Sequence, residues 1–124
     1  MPLDTNTRRQ FQRRDCDVPV VLAVAEASRG QIALIAGPAI GARMTNVSGG
    51  GAYVVSATFL PRAAQLVLDV PAGATLPGGR ARCRVMSLQM LDIEPHYGIG
   101  LRFEDEESTF VRAIRALDDR GTTR

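Results

Sequence analysis

Two short stretches hold residue types whose spacing could do chemistry. The first, Arg8-Arg9-Gln10-Phe11-Gln12-Arg13-Arg14, sets four guanidinium groups within seven residues. Each is a planar fork that donates paired hydrogen bonds to a phosphate or to the O6/N7 edge of guanine. The second, Asn46-Val47-Ser48-Gly49-Gly50-Gly51, supplies an amide carbonyl and a hydroxyl. Both can accept from the N1–H and the N2 amine on guanine's other edge. Gly51 is expected to let the backbone approach a ligand closely, where a branched side chain would block the approach or forbid the required φ. Each stretch also has a plainer reading. Basic tails are commonly solvated, and a glycine-rich run between two strands needs no ligand to explain it.

Charge placement favours a compact anion as partner. All fifteen basic residues of the 124-residue chain are Arg. A GC-rich coding bias explains the missing Lys most simply, yet every cation present is still a fork suited to phosphate. Residues 1–14 carry four Arg against Asp4, and the remaining 110 carry eleven Arg against twelve acids. Positive charge therefore gathers in the arm, while the body is nearly neutral. A long polyanion would instead call for a basic stripe along the fold.

The elements that must position these groups are mostly strands. Val18 to Ala25, Ile40 to Val47, Ala52 to Ala57, Gln65 to Val70, Arg80 to Ser87 and His96 to Phe103 are short β-rich runs, and Ile32 to Ile35 is a further short candidate. Leu66, Leu68 and Val70 share one face, as do Tyr97, Ile99, Leu101 and Phe103. Arg80, Arg82 and Arg84 form a solvated basic face of a half-buried strand. Glu104 to Glu107 places negative charge at the start of a closing helix, whose apolar stripe is Phe110, Val111, Ile114 and Leu117. The sum is a mainly β fold: a six-stranded antiparallel barrel with a flexible N-terminal arm and one C-terminal α-helix. Residues 1–17 are expected to form the arm, 18–118 the barrel and helix, and 119–124 a disordered tail.

At this point the sequence resembles the PilZ domains, bacterial receptors for cyclic di-GMP. Arg9-x-x-x-Arg13 matches the family's R-x-x-x-R arm, and Asn46-x-Ser48-x-x-Gly51 matches its [D/N]-x-S-x-x-G turn. Tyr97-Gly98-Ile99-Gly100-Leu101-Arg102-Phe103 fits the strand that precedes the family's last helix. The resemblance runs from about Arg8 to Leu117. It implies a receptor whose arm closes over the nucleotide on the barrel, with Arg8, Arg9, Arg13, Asn46, Ser48 and Gly51 as ligand-binding residues. Arg8, just before the arm motif, further implies two intercalated cyclic di-GMP molecules per chain rather than one. Asn46 stands where Asp is commoner, which removes one charge-assisted bond to guanine. Val18 to Asn46 is longer than usual for the family, consistent with an added hairpin around Ile32 to Ile35.

Other functions fare less well. His96 has no evident nucleophile or carboxylate partner, and Cys16 and Cys83 have no metal-ligand spacing, so neither a catalytic set nor a metal site is expected. The protein is expected not to be an enzyme. No signal peptide or bilayer-spanning run is present, and a cytoplasmic protein with a downstream protein partner is expected. A PilZ-like adaptor without nucleotide binding is one alternative, although it need not keep the arm and turn residues. A barrel for single-stranded nucleic acid is another. It would need stacking aromatics on an open face, and Tyr53, Tyr97, Phe103 and Phe110 are expected in the core, leaving Phe11 and Phe59.

Overall fold

A computed structural model describes residues 13–24, 39–73, 76–94 and 96–122. Among the described residues, six strands follow one another: β1 (Arg14–Val24), β2 (Ala39–Val47), β3 (Gly51–Ser56), β4 (Gln65–Val70), β5 (Gly79–Asp92) and β6 (His96–Phe103). A helix, α1 (Thr109–Thr122), follows β6. The strands close into a barrel in the order β1-β2-β3-β6-β5-β4, and every neighbouring pair is antiparallel. Closure removes the open sheet edges that a flat six-stranded sheet would expose. The six-stranded antiparallel barrel and C-terminal helix expected from the sequence are found, while residues 1–12 of the expected arm lie outside the described residues.

Alternation fills the barrel. Leu22, Met44, Val54, Leu66, Leu68, Cys83 and Ile99 point inward and are fully buried. α1 adds Phe110, Val111 and Ile114, also fully buried, and Phe110 meets Phe103 edge-on at 6.0 Å. Phe110 also lies against Gly79, whose φ of 148° opens β5 in a conformation that favours glycine.

Several boundaries differ from the sequence expectation. β1 begins at Arg14, so residues 14–17 belong to the barrel wall, where Arg14 pairs with Val47 and Asp15 with Asn46. α1 continues to Thr122, past the expected start of the tail. β5 runs on to Asp92 because Leu88 pairs with Ile99 and Met90 with Tyr97, a hairpin extension that its exposed apolar residues concealed. The candidate strand at Ile32 to Ile35, and with it the added hairpin, lies outside the described residues.

The acids at Glu104 to Glu107 precede the helix instead of forming its first turn. Ser108 caps it, its Oγ accepting from the Val111 N–H at 3.2 Å and donating to the Arg80 carbonyl at 2.5 Å. The acids bind arginines: Glu104 holds Arg84 at 2.6 Å, Asp105 faces Arg82, Glu106 holds Arg115 and Glu107 holds Arg112. The basic face of β5 is thereby tied to the segment leading into α1. His96 does have a carboxylate neighbour, Asp92, 3.0 Å away across the β5–β6 hairpin. The sequence hid it because the turn reverses the chain between them.

Candidate functional site: a groove across β2, β3 and β6

The register of five strands builds the site. Partners directly opposite in an antiparallel pair share a face. Asp15, Asn46, Tyr53, Gly100 and Ser87 therefore form one outward row across β1, β2, β3, β6 and β5. The row below it is inward, with Val47, Ala52, Leu101 and Val85 all buried. Beyond that, Gly51 faces Arg102 and Arg102 faces Arg84 in a second outward row. Arg13 and Ser48 flank this row at the ends of β1 and β2.

Two irregularities in the ladder decide which side chains reach these rows. Between Met44 and Asn46 the β2–β3 register slips by one residue, leaving Thr45 as the extra one. A one-residue shift moves a side chain to the other face. Met44 and Val47 are buried, and the two residues between them are half-exposed, so the bulge turns Asn46 outward. The slip between Val85 and Ser87 does the same for Ser87 on β5.

The result is a groove of about 550 Å³ lined by Arg13, Asn46, Ser48, Tyr53, Ser87 and Arg102, with a floor of Gly50 to Ala52, Gly100 and Leu101. Its floor depends on small residues. A side chain at Gly98 would overlap the Tyr53 hydroxyl, and one at Gly100 would overlap Ser87 Oγ. Tyr53 can thus lie across β6 as one wall of the groove. Arg13 and Arg102 are exposed and make no ion pair among the described residues, whereas Arg84 at the row's end is held by Glu104. That Arg84 hydrogen bond keeps the Glu104 carboxyl below its ordinary pKa. The groove therefore offers two guanidinium groups, an amide, hydroxyls and an aromatic ring.

Of the residues singled out from sequence, Arg13, Asn46, Ser48 and Gly51 come together here. Arg8 and Arg9 lie outside the described residues. Gly51 has a different reason to be glycine: a Cβ there would overlap the Leu101 carbonyl oxygen on β6, and its φ is not positive. Close strand packing alone requires a glycine here. Tyr53, expected in the core, is half-buried on the groove wall, because β3 turns Ala52, Val54 and Ser56 inward instead. Tyr97 is half-buried against Phe59 at 5.8 Å, while Phe103 and Phe110 are core residues as expected. Sequence reasoning missed Tyr53, Ser87 and Arg102. The glycines alternating with Arg102 on β6 were a signal for a flat, open face.

The thiols play no part in the groove. Burial, with Glu104 adding to it, pushes Cys83 up to about 12, and burial together with Asp15 and Asp17 also raises Cys16. Among the described residues no group of three or more His, Cys, Asp or Glu could hold a metal ion. No helix among them is long and apolar enough to cross a membrane.

The family model of the PilZ domain matches residues 7–117, nearly the whole chain. The chain belongs to the PilZ domain family. No curated protein matches it. Among solved structures, this PilZ domain is similar to the Bacillus subtilis inhibitor of motility MotI, with a TM-score of 0.67 and 18% identity over 92% of this chain and 50% of that one. It is also similar to the PilZ domain of Escherichia coli YcgR, a structure with c-di-GMP, at a TM-score of 0.62 and 12% identity over 91% and 90% of the two chains. The K. pneumonia MrkH–c-di-GMP complex gives 0.62 and 16% over 89% and 50%. This PilZ domain spans about half the length of MotI and MrkH. At such identities the likeness establishes the fold.

Proposed function

We propose that this PilZ domain is a cyclic di-GMP receptor that binds the nucleotide in the groove across β2, β3 and β6. The observation that carries the reading is the meeting of Arg13, Asn46 and Ser48 in one groove. Arg13 directly precedes β1 whereas Asn46 and Ser48 stand at the end of β2, and the pairing of those strands brings them to one groove. Arg13 faces a phosphate or a guanine O6/N7 edge, while Asn46 and Ser48 accept from the opposite edge. Arg102 adds a second cation on the far wall, and Tyr53 an aromatic surface. Two solved PilZ proteins of similar fold hold c-di-GMP, which supports the assignment. Arg8 and Arg9 complete the site from the arm, closing over the ligand. The function is binding rather than catalysis, and the liganded face is read by a downstream protein partner.

The ligand count follows from Arg8. Two intercalated cyclic di-GMP molecules bring four phosphate charges together in a partly desolvated site, and their repulsion calls for an additional cation. Arg8, beside Arg9, supplies it and can stack on an exposed guanine. Calorimetric titration of the wild-type chain with cyclic di-GMP is expected to give two ligands per chain, falling toward one in Arg8→Leu. A ratio of one for both proteins would refute the paired-ligand assignment, and absence of binding would refute the receptor assignment.

A further inference from the structure

The turn between β2 and β3 contains Gly49, Gly50 and Gly51, the residue type with the most backbone freedom to lose on folding. Its three carbonyls are nevertheless all occupied. Gly51 O accepts from the Ser48 N–H at 2.8 Å, and Gly50 O from the Phe103 N–H at 2.9 Å. Both donors are backbone amides. The Gly49 carbonyl is different. It accepts from Arg115 Nε of α1 at 3.0 Å, a side chain 66 residues away in sequence. Gly49 is buried, so an unmet carbonyl there would cost a desolvation penalty.

That hydrogen bond leads into the groove. The Gly49 carbonyl and the Gly50 N–H belong to one rigid planar peptide unit, so fixing one fixes the other. Gly50 N–H donates to Ser48 Oγ at 3.2 Å. A hydroxyl that accepts one bond in this way keeps its proton and a second lone pair for another partner. Ser48 lines the groove. Arg115 is itself braced by Glu106, with Nη1 at 2.5 Å from Oε1 and Nη2 at 3.4 Å from Oε2.

We propose that Arg115 is a positioning residue for the nucleotide site: held by Glu106, it locks the Gly49–Gly50 peptide and thereby orients the Ser48 hydroxyl toward the ligand. The assignment of a nucleotide to this groove rests on the receptor reading above, whereas the locking of the turn does not. α1 does not need Arg115 to stay in place, because Phe110, Val111 and Ile114 are fully buried beneath it. The helix thus reaches the turn beside the groove through Arg115, in the middle of α1.

Two measurements on the full chain separate the parts of this claim. Amide hydrogen exchange of the ligand-free protein reads the turn directly. In Arg115→Ala the Ser48 and Gly50 amides are expected to exchange about 10-fold faster, with the Val54 and Ile114 amides unchanged. Cyclic di-GMP affinity by calorimetry is expected to fall about 10-fold as well. Glu106→Gln, at an exposed position, should shift both readouts in the same direction by less, and Arg112→Ala on the same helix should shift neither. Unchanged Ser48 and Gly50 exchange in Arg115→Ala would overturn the proposal, as would faster exchange across the whole of α1. If the wild type fails to bind cyclic di-GMP, the receptor reading falls, and turn exchange still decides whether Arg115 positions Ser48.

Discussion

Ser48 and Gly51 sit three residues apart in one turn, yet they contribute in opposite ways. Ser48 lines the groove, and its Oγ also accepts from the Gly50 N–H, which shapes the turn. Gly51 serves the packing by having no side chain, since a Cβ would overlap the Leu101 carbonyl. The two substitutions should therefore part company. Ser48→Ala is expected to weaken cyclic di-GMP binding by one hydrogen bond, ~1 kcal/mol or somewhat more, and to lower Tm only slightly through the lost Gly50 bond. Gly51→Val is expected to destabilise the barrel by about 1–3 kcal/mol through overpacking between β3 and β6. Thermal melts alongside titrations check the pair, and a Gly51→Val protein with wild-type Tm would contradict the packing account.

At the scale of elements, the arginines of β5 and α1 are matched to the acids that precede the helix. Glu104 pairs with Arg84 and Glu106 with Arg115, and both carboxyls are held below their ordinary range by those hydrogen bonds. A carboxylate with a lowered folded pKa adds stability above its unfolded value, about 4.3, and loses it as pH falls through the folded value. Tm is therefore expected to drop on acidification below about pH 4.3, and Glu104→Gln should make that drop shallower. An identical Tm-against-pH curve for the two proteins would contradict this role. Both carboxyls are exposed, so the effect is modest. These pairings also show where the sequence was legible and where it was not. Gln65 to Val70 and His96 to Phe103 alternate cleanly, and their strands, faces and place in the barrel could be anticipated. Val18 to Val24 and Ala52 to Val55 are apolar on both faces, so alternation could not place Tyr53. The extra residues at Thr45 and Met86 leave no mark on hydrophobic pattern, and they decide which side chains meet in the groove. Arg115 and Gly49 are joined only by the docking of α1, a contact no local motif records.

For the whole molecule, barrel closure and the shared register of β1, β2, β3 and β6 convert scattered residues into one concave, cation-bearing surface. Arg13, directly before β1, lines that surface. Whether the groove is a nucleotide site therefore turns on the arm and the barrel acting together. The most direct measurement is the affinity of the full chain for cyclic di-GMP, compared with an Arg9→Ala, Arg13→Ala double variant. A bidentate arginine–guanine contact is worth ~1–3 kcal/mol, so the double variant should lose on the order of 100-fold or more in affinity while keeping the wild-type Tm. Equal affinity in the two proteins would contradict the account.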